Sequence, residues 1–316
     1  MTTDQDRRRW CFTGPHRFPT RDSAAGRLSL SHTSERRQPR REWALGICLG
    51  LLLASAAAAG GPTDVLVFTR TEGFAHPSIA DGVLLIETLG VEEGFSVTVT
   101  DEATDIEPAT LSGVQVVVWM STTGDVLDPE QEDAFRAFMN AGGGYVGVHA
   151  SVDCEYGWPW YGELLGNGAW FGGHPPTQEA TLVLERPDAP GAGTFEATTP
   201  FTEEWFNFQA NPRPVVDVVM TVDESSYDPG PGAMGDDHPI AWSHAFAGGR
   251  VFYTALGHRP ETYSDPRFVE QIREAIVWAA GAPIFANGFE TGDLGGWSDV
   301  VSLLPTGPRA SEHQEP

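Results

Sequence analysis

A strand that ends on a histidine between small residues constrains this chain more than any other feature. Gly142-Gly143-Gly144-Tyr145-Val146-Gly147-Val148-His149-Ala150-Ser151-Val152-Asp153 reads as a tight glycine turn, a short buried strand and a polar side chain at the strand's carboxyl end. In an open α/β sheet, ligands bind in the crevice beyond those carboxyl ends, which makes His149 the first candidate functional residue. Gly147-Val148-His149-Ala150-Ser151 also has the elbow form in which small neighbours let one side chain stand out on a strained strand-to-helix turn. A nucleophile elbow carries Ser or Cys at its centre. His149 there argues against a covalent acyl-enzyme and leaves metal ligation or proton transfer open.

The segments before the elbow repeat one theme. Asp64 to Thr69 is near-continuously apolar, as strands covered on both faces are. The loop after it carries Phe74 and His76 before a helix that Ser78 can cap, running to about Gly90. Phe95 to Thr100 alternates as a second strand, and Val114 to Met120 is a strongly β-branched third. Asp128-Pro129-Glu130 supplies an N-cap, a proline at the first helical position and an early acid for a helix to Asn140. Strands alternating with helices predict an α/β fold with a mostly parallel sheet, right-handed crossovers and helices on both faces. His76 and His149 then share one sheet edge.

Beyond the elbow the chain turns aromatic and glycine-rich, with Tyr156, Trp158, Trp160, Tyr161, Trp170 and Phe171 ahead of His174. Rings flanked by polar groups suit a sugar, whose CH faces stack while its hydroxyls seek hydrogen bonds. For any single ring, covering the sheet is the plainer role. Thr181 to Glu185 and Val215 to Val222 read as strands, with Phe201 to Phe206 in a loop between them. His238 to His244 leads through Ala247-Gly248-Gly249-Arg250 into a strand over Val251 to Leu256, so His258 too follows a strand end. A closing helix spans about Pro266 to Ala280, with Phe268, Ile272, Ile276 and Val277 on one face.

The ends read differently from the middle. Residues 1–42 are rich in Arg, Ser and Pro, either a disordered arm or an extension from a misassigned start. Ala44 to Ala59 then runs without a charge behind Arg40 and Arg41 and closes on small residues, the layout of a signal peptide over 43–59. That predicts export and no stable membrane partner beyond the segment itself. Residues 63–281 form the expected domain. The tail, 283–316, follows a Gly-Ala-Pro break and is expected to be mostly disordered.

Ten of the 19 basic residues and five of the 44 acidic ones lie before residue 60, and all the basic ones are Arg. The remainder carries nine Arg against 39 Asp and Glu. Nucleic acid is excluded as a partner, because its phosphates need basic patches this surface lacks. Of three cysteines only Cys154 lies beyond residue 60, so no internal disulfide forms there.

Several segments together resemble the ThuA-like, or trehalose-utilisation, family. They are Phe74-Ala75-His76-Pro77-Ser78-Ile79, Gly143 through Asp153, Tyr161-Gly162-Glu163-Leu164-Leu165-Gly166, Phe171 with His174-Pro175, Glu203-Glu204-Trp205, and His238 to Trp242 with Gly249 to His258. The resemblance implies a single flavodoxin-like domain of the class I glutamine amidotransferase type. It implies that His149 replaces that fold's elbow cysteine, so glutaminase activity is not expected. It also associates the chain with use of trehalose and related disaccharides or their keto forms.

His149, His258 and Asp153 are the candidate catalytic residues. His76, Tyr156, Trp160, Glu204 and Trp242 are the candidates for holding a small carbohydrate. Neutral imidazoles with a carboxylate in a cleft are the makings of a divalent metal site, zinc foremost, and His149, His174 and His238 are the candidate ligands. No H-x-H or H-x-x-x-H spacing exists, so such a set is assembled only by the fold. Two other readings stay open, a non-catalytic carbohydrate-binding protein and an amidotransferase-like scaffold.

Overall fold

The structure is a computed structural model that describes residues 63–281. The arm, the signal segment and the tail read from the sequence lie outside the described residues. Among these residues, no helix is long and apolar enough to cross a membrane.

One nine-stranded sheet organises the fold. Numbering only its strands, β1 is Asp64–Phe68, β2 Ser96–Thr100, β3 Val116–Met120, β4 Gly144–Val148, β5 Gln178–Leu184, β6 Thr198–Glu203, β7 Asp217–Asp223, β8 Pro239–Phe246 and β9 Gly249–Thr254. Their order across the sheet is β2-β1-β3-β4-β9-β8-β7-β5-β6. The first five in that order pair in parallel. The rest form an antiparallel extension. The four longer helices are α1 (Ile79–Glu93), α2 (Pro129–Asn140), α3 (Pro159–Leu165) and α4 (Pro266–Ala279).

Local chemistry explains most boundaries. β1, β3 and β4 are buried almost throughout, as strands sandwiched between helices must be. Asp128 caps α2 by accepting from the backbone of Glu130 and Gln131, and Gln131 returns the bond to Asp128. Gly144 has to be glycine, since a Cβ there would stand 2.4 Å from the Ala279 carbonyl oxygen of α4.

Two expectations are corrected. Ser78 sits at the N-cap of α1 with helical backbone angles and makes no capping bond; its hydroxyl donates instead to Gly257 O at 2.9 Å. The segment read as a loop around Phe201 contains β6. Pro200 counts against a strand in sequence, but β6 is an edge strand, where a missing N–H costs no ladder bond.

Candidate functional site

Four chain segments converge beyond the carboxyl ends of the parallel strands. The loop after β1 delivers His76, the residue after β4 is His149, and the loop after β9 delivers His258. The fourth, Glu204, comes from the end of β6, five places from β4 in the sheet order. The antiparallel extension therefore curls back over the edge of the parallel half, the sense of coiling that strand twist accumulates. Glu203 Oε1 and Oε2 close this curl by accepting from the backbone N–H groups of Gly257 and His258 at 3.1 and 3.2 Å.

The three imidazoles stand edge to face. Ring centroids of His76 and His149 are 4.7 Å apart, those of His149 and His258 5.3 Å, and those of His76 and His258 5.6 Å. Glu204 Oε2 lies 3.5 Å from His149 Nε2 and 3.2 Å from His258 Nδ1. Neither approach is aligned as a hydrogen bond, and these two nitrogens and His76 Nδ1 are buried without a hydrogen-bond partner. One donor atom from each of His76, His149, Glu204 and His258 falls within 4.8 Å of the others.

His149 is held from three sides. Its φ of 47° is left-handed, a strained state for a side-chain-bearing residue. Tyr253 Oη donates to its carbonyl at 2.8 Å, and its Nδ1 lies 2.8 Å from Ala255 O. A carbonyl only accepts, so Nδ1 carries the proton and Nε2 presents its lone pair to the cluster. On the other face, the Phe206 ring packs at 4.3 Å.

Burial pushes the His76 imidazole down to about 3, with His149 and His258 adding to the effect. It is therefore a neutral imidazole at ordinary pH. Burial alone would raise the Glu204 carboxyl, but His149 and His258 outweigh it and hold the group well below the usual range. The same contact with Glu204 raises His258 against the effect of burial.

Asp153 is half-buried, and its carboxyl is raised by burial even though Tyr156 Oη donates to Oδ1 at 2.6 Å. Tyr156 is 45% exposed and Phe74, whose ring meets the His76 edge at 4.8 Å, is 62% exposed. Phe74 thus covers the His76 ring, and Tyr156 pairs with Asp153.

Other sequence candidates land elsewhere. His174 lies behind Glu204, its Nδ1 3.1 Å from Oε1 and 2.9 Å from Pro175 O, so it orients the carboxylate and offers no inward lone pair from that atom. His238 immediately precedes β8 at the same edge but is fully engaged, Nε2 at 2.8 Å from Phe206 O and Nδ1 at 2.8 Å from Glu224 Oε1 and 3.2 Å from Tyr227 Oη. Trp242 is buried in β8 with its indole donating to Leu165 O. Trp160 packs on Phe135, Trp158 and Phe246, towards the opposite edge of the sheet. Glu261, three residues beyond His258, pairs with Arg259 at 3.3 Å. Glu203 and Phe206 were not among the site candidates in the sequence, and only the curl of the sheet reveals their roles.

The geometry fits an ion. Four donors at about 2.1 Å around a tetrahedral zinc stand roughly 3.4 Å from one another, close to the 3.2 and 3.5 Å between Glu204 Oε2 and its two imidazole neighbours. Unpartnered buried nitrogens otherwise carry a desolvation penalty of about 1–3 kcal/mol each.

Among curated proteins, none matches the sequence. Two solved structures share the fold. A ThuA-like protein of Bacteroides uniformis is 23% identical, with a TM-score of 0.59 over 71% of this chain and 94% of that one. A ThuA-like protein of Parabacteroides merdae is 19% identical, with a TM-score of 0.58 over 72% and 94%. Over residues 64–279 the sequence matches the ThuA family, described as trehalose utilisation, and the chain belongs to that family.

Proposed function

We propose that this chain is an exported carbohydrate-processing enzyme acting on a disaccharide or its keto form at a divalent metal, zinc foremost, held by His76, His149, Glu204 and His258. The observation that carries the reading is the gathering of three imidazoles and the Glu204 carboxylate with donor atoms within 4.8 Å of one another, Oε2 lying 3.5 and 3.2 Å from His149 Nε2 and His258 Nδ1. The family's link to trehalose utilisation supplies the substrate class. The uncharged 16-residue run before residue 60 supports export.

Bound there, the ion would supply a Lewis acid that polarises a sugar carbonyl or lowers the pKa of water. The rest belongs to the chain. Ala255 O fixes the His149 tautomer, and His174 turns Glu204 so that Oε2 faces the imidazoles. Asp153, raised by burial, serves as the acid or base, and Tyr156 keeps its Oδ1 in place. Phe74 and Tyr156 offer ring faces to a pyranose on the solvent side.

The test measures zinc content by mass spectrometry on tag-free protein, with the His258→Ala variant, and follows trehalose and keto-disaccharides by calorimetry and product analysis. Near-stoichiometric metal in the wild type, lost in the variant, with metal-dependent turnover supports the reading. Sugar binding without product over long incubation makes the chain a carbohydrate-binding protein instead. Neither metal nor sugar overturns it.

A further inference from the structure

We infer that Glu203 is a positioning residue that sets His258 in the cluster, an inference that rests on the metal-centre reading for its effect on affinity. Glu203 is fully buried, and among the described residues no Arg or His lies within ion-pair distance of it. A carboxylate in that position is costly unless several donors replace its water. Four do so. Oε1 accepts from Gly257 N–H at 3.1 Å and from the Thr262 hydroxyl. Oε2 accepts from His258 N–H and from Glu204 N–H, both at 3.2 Å.

These four donors join the two segments that supply Glu204 and His258. The peptide before His258 is pinned on its other side as well, since Gly257 O accepts from Ser78 Oγ at 2.9 Å and from Tyr263 Oη at 3.0 Å. Ser78 lies two residues after His76, so the same peptide ties in a third donor segment. Gly257 has a φ of 117°, and a Cβ there would stand 2.7 Å from the Tyr263 hydroxyl. Only glycine takes that conformation there, and it leaves the N–H facing Glu203. Glu204 faces the His258 ring while Glu203 holds the His258 backbone, so two consecutive carboxylates fix one imidazole at both ends.

Two acceptor oxygens supply what an amide cannot. A glutamine keeps one acceptor oxygen and replaces the other with an N–H₂ group, which would face the donors of His258 and Glu204 or those of Gly257 and Thr262. The loop should loosen while the core strands remain.

The experiment compares wild type, Glu203→Gln and the core variant Leu111→Ala, whose buried side chain lines a cavity with Pro108, Ala134 and Phe138 that includes none of residues 257–262. Hydrogen exchange by mass spectrometry on the metal-free proteins reads the loop, and competition against a chromophoric chelator reads the zinc dissociation constant. In Glu203→Gln, amide protection should fall selectively over 257–262, and zinc affinity should fall 10- to 100-fold at unchanged stoichiometry, the range seen when outer-shell partners of metal ligands are removed. Unchanged protection over 257–262, unchanged affinity, or an equal loss of affinity in Leu111→Ala overturns the inference. Should wild type bind no zinc while protection still falls selectively, the positioning role stands and the metal reading fails.

Discussion

His149 Nδ1 lies 2.8 Å from the carbonyl oxygen of Ala255, and this single contact decides which nitrogen faces the cluster. Since the carbonyl cannot donate, the neutral ring must be the Nδ1–H tautomer, with Nε2 free toward Glu204. Nitrogen-15 NMR of the metal-free protein should show His149 protonated at Nδ1 in its neutral form. A spectrum with the proton on Nε2 would remove His149 from any ligand set.

The same residue stores backbone strain. At φ 47°, alanine at position 149 pays the left-handed penalty of about 1 kcal/mol that glycine avoids. Both variants lose the ring and its bond to Ala255 O, so their difference isolates the backbone. His149→Gly should be at least as stable as His149→Ala, by about 1 kcal/mol in urea unfolding, although glycine is normally the less stable choice. An alanine variant clearly more stable than the glycine one would mean the elbow relaxes out of the left-handed region.

Much of this arrangement could be read in the sequence, and the rest could not for identifiable reasons. Apolar β-branched runs announced β1 and β3, and glycine punctuation announced β4, because a strand buried on both faces leaves no polar alternation to misread. His76, His149 and His258 were placeable since each follows a parallel strand at its carboxyl end. Glu204 and Glu203 were harder. Their strand carries Pro200 and sits at the far edge, and alternation says nothing about how far a sheet curls. His238 shows the reverse: it immediately precedes β8 at the correct edge, but Phe206 O engages its Nε2, and Tyr227 Oη and Glu224 occupy its Nδ1.

Metal binding should register as stability, because the donors come from four distant segments and are gathered only in the folded chain. With free zinc about 100-fold above its dissociation constant, the gain is about 2.7 kcal/mol. For a domain of this size that raises Tm by roughly 5–10 °C. Calorimetric scans with zinc, with chelator, and with zinc restored after chelation should show a reversible shift of that order, absent in Glu204→Ala. A Tm indifferent to zinc in the wild type would argue that the imidazoles serve without an ion.

Outside the cluster, Glu155 ties the protein's stability to pH. Its side chain is fully buried, with Oε1 accepting from the backbone of Val126 and Leu127 at 2.8 and 3.0 Å and Oε2 without a partner. Burial raises its carboxyl to about 7 from an ordinary 4.5, despite those two bonds. The charged form is thus disfavoured in the folded state. Its cost is absent below about pH 4.5, where the group is protonated folded or unfolded, and grows as pH rises towards 7, where the unfolded state ionises freely and the folded one does not. At about 1.4 kcal/mol per pKa unit, the full cost is on the order of 3 kcal/mol. Glu155→Gln keeps an oxygen for Val126 and Leu127 and removes the ionisation. Urea unfolding from pH 4.5 to 8 should therefore show the variant gaining on the wild type by about 2–3 kcal/mol across pH 5 to 7, then running parallel to it above. Parallel curves through that window would mean the Glu155 carboxyl ionises normally, with water reaching Oε2.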